Sequence, residues 1–511
     1  MRRKSIFILL LVWVALSGYG QEKATVGQIS IQTDEVLNAD KKVTAYMEAD
    51  GYEGSIGIKL RGNSSLSFNQ KKYTIELRDN QGNEVVAPLA GMPAHTDWVL
   101  LAPYNDVSAV RDPLAFQLWR DMGHWAPRTR MVELAIDGEY RGVYILSEAI
   151  KRGEQRVNIA KLKKTDVEGR DITGGYILRI DTYDEDDATF PSKVPGIGEG
   201  IMTSQITWSC IYPKKGKLQP EQLAYIQEFV DSVELTIQSE HFTDPEWGYA
   251  RYIDVPSFVD YFIHTELSLN ADGYKRSAYF YKEKLHADGT GGKLVAGPVW
   301  DYNLAYGNCN FCNADNPEAW CFEGGNTQPT PALWQRLLQD PAFRKAVKVR
   351  YKELRKGVLS NEAINGYIDG HVKLLSPYIK RHFEKYPELL SNEEKQKSAQ
   401  QQPFGVPNMG GFPGMGAFPG MGGFPGMGAF PGMGGFGQSD AISWFAAYRV
   451  SSYEEEIAVL KQWITDRLSF LDRNIELFDN GWEPRIHTPR KENVPQFNGA
   501  FPSPFPFMPM F

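Results

Sequence analysis

The apolar residues of this chain follow a strand period near the N-terminus and a helix period further along. From residue 56 to residue 77, apolar and polar side chains alternate in two runs that flank the small-residue segment Gly-Asn-Ser-Ser at 62–65. The second run begins at Lys72 and places Tyr73, Ile75 and Leu77 on one face. This pattern predicts a β-hairpin whose connecting turn exposes backbone N–H groups and hydroxyls.

Helical periodicity dominates the second half of the chain. Apolar residues recur at helical spacing after Pro220, after Asp254, around 333–347, and from 453 to 478, where Ser452 and Glu455 fit a capping box. Asp254 is the predicted N-cap, and Pro256 fits the first turn. The run 293–300 predicts a short apolar strand that delivers Asp301 into a loop. The pattern indicates an α+β protein with a β-rich N-terminal part and a mainly helical C-terminal part.

Both ends and one internal segment differ from this pattern. Residues 1–20 have a basic start, an apolar run and small residues, which predicts a signal peptide and an exported protein. No other stretch has the ~20 apolar residues needed to cross a bilayer. Residues 403–440 repeat Phe-Pro-Gly-Met-Gly, a composition that predicts a disordered insertion, and 441–482 hold a helix that returns to the main domain. Residues 483–511 form a Pro/Phe-rich tail.

Composition narrows the range of partners. The chain has 511 residues, 42% of them hydrophobic, and a net charge of −8, which argues against nucleic acid because no Lys/Arg block is long enough to neutralise a row of phosphates. One basic cluster is predicted to bind a compact polyanion such as a nucleotide, although a solvated sheet face remains the alternative. Its members are Lys59, Arg61, Lys71 and Lys72.

Two carboxylates stand where metal-phosphate chemistry uses them. Asp272 follows an apolar helical pattern and Asp301 an apolar strand pattern. With Asn270 and Asn303 they offer the hard oxygen ligands that Mg²⁺ or Mn²⁺ takes when it bridges nucleotide phosphates. Each acid alone also fits a cap or turn. A glycosidase would use the same two acids across a sugar cleft.

The cysteines and one histidine allow two further predictions. In an exported protein, Cys309, Cys312 and Cys321 favour a disulfide that pins their loop, with the remaining cysteine free or paired to Cys210. Zinc at the Cys-x-x-Cys pair is the alternative. His264 lies in an apolar helix, and we expect a core residue rather than a base.

Several phrases carry a resemblance to a known family. The segments DWVLLAPYND, APRTRMVEL, GEYRGVYILSE and GPVWDYNLAYGN occur in this order, and as a set they resemble the CotH family of atypical, spore-coat or secreted protein kinases. The resemblance implies a two-lobed kinase-like fold over residues 21–402, which uses ATP and a divalent cation to phosphorylate Ser or Thr of a protein.

The resemblance also assigns roles to individual residues. Asp272 and Asp301 match the family's two essential acids, with Asp301 as the metal-binding one. Lys72, or alternatively Lys71, matches the phosphate-contacting lysine, so we take Asp272 and Lys72 as catalytic. Asn303 stands where the family often has an acid, which puts a second metal ion in doubt. The residues expected to hold the nucleotide are Arg61, Asn63, Ser64 and Lys72, with Glu148 beside the adenine.

The sequence leaves two functions open. The first is an exported ATP-dependent protein kinase. The second is a kinase-like fold used as a surface binding or adhesion module. The retained lysine and acids favour catalysis, whereas Asn303 and the scarcity of ATP outside the cytoplasm favour binding.

Overall fold

The structure is a computed structural model that describes residues 25–183, 187–197, 205–323, 329–390 and 448–479. Its first part is a closed barrel of seven strands. The strands are β1 (Gly27–Gln32), β2 (Val43–Ala49), β3 (Tyr52–Arg61), β4 (Lys72–Leu77), β7 (Asp97–Leu101), β8 (Thr129–Ile136) and β9 (Glu139–Glu148), joined in the order β1-β2-β3-β4-β7-β9-β8. A separate pair, β5 (Ala87–Leu89) and β6 (Met92–His95), precedes β7.

Alternation along the strands fills the barrel. Inward residues such as Ile31, Ile58, Ile75 and Leu134 are fully buried or nearly so and form one apolar cluster. The predicted hairpin is confirmed, because β3 and β4 pair antiparallel with Arg61 opposite Lys72. Its connection contains a short 3₁₀ helix, Ser64–Ser67. The barrel closes where β1 runs parallel to β8.

A second sheet follows the barrel. Its strands are β10 (Tyr176–Ile180), β11 (Ala188–Pro191), β12 (Thr207–Tyr212), β13 (Ala278–Lys282) and β14 (Leu294–Ala296), in the order β11-β12-β10-β13-β14 with antiparallel neighbours. Ile180 pairs with Ala278, so Asp181 and Ser277 meet at the same end of this sheet. That end faces the residues of the candidate site.

Helices pack around these sheets. They are α1 (Arg111–Asp121), α2 (Pro220–Gln238), α3 (Val255–Ser268), α4 (Leu333–Leu337), α5 (Pro341–Leu354), α6 (Asn361–Lys385) and α7 (Tyr453–Glu476). Helix α3 begins as predicted, with the Asp254 carboxylate accepting from the Ser257 N–H and Pro256 in the first turn. It ends at Ser268, and the C-cap residue Leu269 has a left-handed φ of 41°. Nearly every residue of α3 is buried, so this helix forms the centre of the helical part.

Helix α7 confirms the helical pattern seen in the sequence after residue 452. Ser452 Oγ accepts from the Glu455 N–H, and the buried face of α7 packs against α3, α5 and α6. Three predicted segments lie outside the described residues: the signal peptide (1–20), the repeat (403–440) and the tail (483–511). Mixed helices and strands are present as expected, and the division into two kinase-like lobes stays a prediction. Within the described residues, no helix is both long and apolar enough to span a membrane.

The disulfide prediction is wrong in this structure, because none of the four cysteines, all of which lie in the described ranges, forms a disulfide. Cys309 donates to the Phe311 carbonyl, Cys321 contacts the Asn270 carbonyl at 3.5 Å, and Cys312 accepts from Lys275 Nζ at 3.3 Å. Each sulfur therefore has its own partner. Cys210 is buried on β12. No zinc-type group of three or more His, Cys, Asp or Glu side chains occurs within the described ranges.

Candidate functional site

The first strand residue of β4 reaches the acid after β14. Lys72 Nζ lies 3.7 Å from Asp301 Oδ1. The lysine side chain is 10% exposed and that of the aspartate 35%, so the pair sits at the edge of the protein interior, open to solvent on the acid's side. Lys71 points elsewhere and donates to the Leu66 carbonyl at 2.7 Å. Of the two lysines left open by the sequence, Lys72 is therefore the one that meets the acid.

The four predicted metal ligands lie together. Asn303 Nδ2 donates to Asp301 Oδ1 at 3.1 Å, and Asn270 Nδ2 donates to the Asp301 carbonyl at 3.3 Å. The Asp272 N–H in turn donates to Asn270 Oδ1 at 3.2 Å. This chain of contacts joins the end of α3 to the loop that follows β14. Asn270 and Asp301 are 31 positions apart in the sequence, so it is the fold that brings them into contact.

The route from β14 to Asp301 differs from the prediction. The strand ends at Ala296 rather than at Trp300, and four residues of irregular backbone precede Asp301. At Gly297, with φ of 103°, a Cβ would lie 2.8 Å from the Trp119 ring. The chain therefore leaves the strand early because it must pass closely over that indole, which requires glycine.

Backbone strain concentrates at this site. Ten described non-glycine residues have a positive φ, and seven of them fall between Leu269 and Asn313, including Asp301 at 63°. Such conformations persist only where the surrounding structure holds them in place. The loops that carry Asp272 and Asp301 are thus held by their contacts rather than by local preference.

Acidic and basic side chains are interspersed around Asp301. Burial, together with the Asp301 and Asp181 carboxylates, raises the pKa of Asp272 to about 6 against the opposing effects of Arg276 and Lys275. Burial and Asp301 likewise raise the pKa of Asp112 to about 7, opposed by Lys72. Burial is the largest cause for both acids, and a bound cation would favour their charged forms.

Two of these acids were missed from the sequence. Asp112 lies in the first turn of α1, and its Oδ1 accepts from the Tyr302 N–H at 2.6 Å, next to Asp301. Asp181 follows β10 and accepts from Ser277 Oγ at 3.4 Å; burial raises its pKa. Asp181 directly follows an apolar strand, as Asp301 was expected to do. This position after a strand is the signal that could have identified Asp181 from the sequence. Asp112, before Pro113, looked like an ordinary first-turn acid.

The predicted phosphate turn lies beside this acid cluster. Asn63 Nδ2 donates to Thr182 Oγ1 at 2.8 Å, which ties the β3–β4 connection to the residue after Asp181. Ser64 is exposed in the same turn. The Arg61 guanidinium stacks 4.9 Å from the Trp300 ring, directly before Asp301. The turn is therefore held at the site by contacts with the second sheet.

The structure divides the rest of the basic cluster. Lys59 Nζ donates to the Ala39 carbonyl at 3.2 Å, so this lysine stabilises the connection between β1 and β2.

Glu148 is fully buried at the end of β9, where both carboxylate oxygens accept from Arg128 and one lies 3.3 Å from Arg156. The structure does not bring that carboxylate into contact with the Lys72–Asp301 pair. Its place beside an adenine stays a prediction.

His264 is a core residue, as predicted. Its Nε2 lies 2.9 Å from the Ala115 carbonyl, which can only accept, and its Nδ1 lies 3.2 Å from the Tyr302 hydroxyl. Burial lowers the pKa of this imidazole to about 4, so the ring is neutral. Its contact with the hydroxyl helps to hold Tyr302, the neighbour of Asp301, in place.

The residues present fit a divalent cation shared with phosphate. Within the described ranges, no three or more Asp, Glu, His or Cys side chains form a metal cage. A cation that bridges nucleotide phosphates needs only one or two carboxylates plus amide or water oxygens. Asp272 and Asp301 with Asn270 and Asn303 supply such a set, and the exposure of Asp301 leaves access to it.

Comparison with known proteins agrees with the resemblance seen in the sequence. Inner spore coat protein H of Bacillus subtilis (strain 168) is 22% identical over 372 residues, which cover 70% of this chain and 90% of that protein. The family model described as CotH kinase protein matches residues 58–471. This match includes the barrel from β3 onward, the candidate site and most of α7. The predicted family is thus confirmed, and the chain belongs to the CotH kinase protein family.

Proposed function

We propose that this chain is an exported protein kinase that transfers the γ-phosphate of ATP to Ser or Thr of a protein, with Mg²⁺ or Mn²⁺. The observation that supports this most strongly is the Lys72–Asp301 pair at 3.7 Å, with Asn270, Asp272 and Asn303 gathered around the acid. A lysine, two acids and amide oxygens on separate elements are what phosphoryl transfer needs for positioning and charge neutralisation. Family membership supports the same reaction.

Each residue has a task in the proposed reaction. When bound, the cation neutralises the charge that develops on the transferred phosphoryl oxygens. Asp301, with the amide oxygen of Asn303, holds that cation. Lys72 binds phosphate oxygens as a point charge; its 3.7 Å separation from Asp301 exceeds hydrogen-bond length, so its ammonium group can turn to a phosphate.

Asp272 has two possible tasks. With a pKa of about 6 it is ionised at neutral pH and still basic enough to accept the proton of a serine or threonine hydroxyl. As that proton moves to Asp272, the hydroxyl oxygen forms a bond to the γ-phosphorus and the bond to the β,γ-bridging oxygen breaks. The same carboxylate could instead hold the cation. We propose it as an essential acid in either task.

The turn at 62–65 completes the proposed nucleotide site. In this proposal its N–H groups and the Ser64 hydroxyl bind the phosphates, and the Asn63–Thr182 bond fixes the turn against the acid-bearing end of the second sheet. Arg61 adds positive charge beside Trp300. These groups orient phosphates without themselves taking part in bond making.

A second candidate function is a binding or adhesion module on a cell or spore surface. One observation favours it: Asn303 adds no charge to the site and donates to Asp301, which leaves a single acid on that loop segment. The similar Bacillus protein is named as a coat protein, which fits a surface role as well as a kinase. Nucleotide binding without turnover would be the sign of this second function.

The test compares Asp301→Asn with Asp121→Asn, a matched control at the exposed end of α1. The chain from residue 21 onward is incubated with labelled ATP, Mg²⁺ or Mn²⁺ and a library of Ser/Thr peptides, and transfer to peptide and to the chain itself is measured. We expect Asp301→Asn to lower the rate by about a thousandfold, because the charge that holds the cation is lost. Asp272→Asn should cause a similar loss.

The outcomes separate the two functions. Transfer by Asp301→Asn at nearly the wild-type rate would contradict the assignment of the site. Cation-dependent ATP binding by the wild type, measured by calorimetry, with no transfer to any acceptor would support the binding module. Glycan hydrolysis by the wild type would return the two acids to the glycosidase alternative.

A further inference from the structure

The loop after Asp301 is anchored at two points by consecutive residues of α1. Asp112 accepts from the Tyr302 N–H at 2.6 Å, and Arg111 Nε donates to the Ala305 carbonyl at 3.0 Å. Both anchoring side chains are buried, Arg111 completely. Asp301 has a left-handed φ, so its position depends on such anchors rather than on its own conformational preference.

The arginine anchor is itself held from the far end of the chain. Arg111 Nη1 lies 2.6 Å from Asp106 Oδ1 and 2.6 Å from Glu456 Oε1. Glu456 is in the first turn of α7. Arg111 Nη2 donates to the Tyr448 hydroxyl at 2.7 Å, and that hydroxyl donates to Glu456 at 3.1 Å. One guanidinium therefore joins α1, the Asp301 loop and the segment from 448 to 456.

Further contacts of α7 follow the same loop. Trp463 Nε1 donates to the Asp315 carbonyl at 2.9 Å, and a Cβ on Gly307 would lie 2.5 Å from the Trp463 ring. The indole thus covers Gly307, and α7 lies along the loop from Ala305 to Asp315. The helix is placed to hold the loop as well as to fill the core.

We propose that Glu456 is a positioning residue that fixes the Asp301 loop through Arg111, so that α7 forms part of the site. Without the Glu456 charge, the guanidinium is drawn toward Asp106 alone, and its Nε leaves the Ala305 carbonyl. The loop then loses one of its two anchors to α1, and Asp301 leaves its position beside Lys72. The consequence for phosphate transfer rests on the proposed kinase function, whereas the consequence for the loop does not.

Asp472 provides a matched control on the same helix. It pairs with Arg355 at 2.9 Å and accepts from the Tyr351 hydroxyl at 2.8 Å, away from the Asp301 loop, and its side chain is 44% exposed. Asp472→Asn thus removes a carboxylate from α7 without touching Arg111. Comparison with Glu456→Gln separates loss of helix stability from loss of loop position.

The experiment measures amide hydrogen exchange over residues 301–309 in the full chain. In the wild type, the N–H groups of Tyr302, Ala305, Tyr306 and Asn308 are all bonded. We expect Glu456→Gln to speed their exchange by about tenfold and Asp472→Asn to leave it unchanged. Equal exchange over 301–309 in wild type and Glu456→Gln would overturn the proposal.

A second readout links the loop to the cation. The Mn²⁺ concentration that gives half-maximal phosphate transfer should rise about tenfold in Glu456→Gln and stay unchanged in Asp472→Asn. The reason is that residues which orient a metal ligand contribute about this much to metal affinity. Should the wild type transfer no phosphate, the kinase function fails while hydrogen exchange still tests the positioning role. If Glu456→Gln does not fold, Tyr448→Phe keeps the ring, removes one bond to Arg111, and should show a smaller change in exchange of the same sign. Unchanged exchange in Tyr448→Phe would then overturn the proposal.

Discussion

At the scale of single residues, two adjacent lysines have separate partners and should behave differently on substitution. Lys72→Ala removes the point charge beside Asp301, and we expect the KM for ATP to rise about tenfold or more while the barrel keeps its apolar face. Lys71→Ala is the matched control, since its ammonium group only donates to the Leu66 carbonyl. Titration of transfer rate against ATP measures both.

Three results would be informative beyond the expected one. If Lys71→Ala raises the KM for ATP and Lys72→Ala does not, the nucleotide binds near Lys71 instead. An unchanged KM for ATP in both variants would favour the binding module. Loss of folding in Lys72→Ala, visible by circular dichroism, would show that the lysine mainly offsets the crowded acids.

The raised pKa of Asp272 predicts how stability changes with pH in EDTA. Its ordinary value is 3.8, and burial raises it to about 6, so between these values the folded protein binds more protons than the unfolded chain. The contribution of this group therefore lowers the free energy of unfolding as pH rises from 4 to 6. At pH 7, Asp272→Asn should be more stable than the wild type by on the order of 2 kcal/mol, with no difference at pH 4.

Urea unfolding at both pH values measures this, with the exposed Asp34→Asn as control. A wild type that is the more stable protein at pH 7 would mean that Arg276 outweighs burial and the neighbouring acids. Added Mg²⁺ should stabilise the wild type and leave Asp272→Asn unchanged if the acid holds the cation.

The four predicted metal ligands lie together in the structure, and their role as ligands stays a prediction. Asp301, Asn303, Asn270 and Asp272 could be chosen because hard oxygen ligands at the ends of apolar elements are a recognisable combination. Asp112 could not, because a first-turn acid before proline looks the same whether it caps a helix or supports a distant loop. The cysteines show a related limit, since sequence spacing does not reveal that each sulfur has a separate partner.

At the scale of elements, local signals predicted α3 and the β3–β4 hairpin. Asp254, Pro256 and the apolar period of α3 are all contained in one segment, and alternation over six residues defines β4. Closure of the barrel by the parallel pairing of β1 with β8 leaves no such signal, because the two strands are separated by about a hundred residues. The Arg111–Glu456 contact is hidden for the same reason, with 345 positions between its partners.

Helix α7 carries a buried arginine whose loss should be costly. Arg467 is fully buried, lies 3.3 Å from Glu266 Oε2, and donates to the Glu266 and Pro317 carbonyls. Arg467→Met leaves the Glu266 carboxylate in the interior without its charge partner, and we expect a loss of about 3–5 kcal/mol in urea unfolding.

The control for this prediction is Arg473→Met on the same helix. Arg473 pairs with Glu318 at 2.9 Å, but both side chains are more than 60% exposed, so the change should cost at most about 1 kcal/mol. Equal losses in the two variants would indicate that Glu266 is held by its other donors, the N–H groups of Cys321 and Phe322 and the Tyr274 hydroxyl.

At the scale of the whole molecule, the segment between α6 and α7 separates two anchored ends. Before it, Glu388 accepts from the Tyr104 hydroxyl at 2.7 Å; after it, Tyr448 bonds Arg111. Tyr104 lies in the connection between β7 and α1, and Arg111 is the first residue of α1. The family match likewise continues across the segment to residue 471, so the chain after it belongs to the same unit of sequence.

The last prediction follows from these anchors and from composition. Residues 403–438 offer no periodic apolar face, so replacing them with a short Gly/Ser linker should change the free energy of unfolding by less than about 1 kcal/mol. Deletion of residues 453–478 is the contrasting variant, because it removes Leu460, Leu468 and Leu471 from the core and should cause aggregation. Thermal unfolding and light scattering compare the two. A midpoint that falls as far for the linker variant as for the helix deletion would show that the repeat packs against the domain, because loop closure alone changes stability by only ~0.6 kcal/mol per doubling of length.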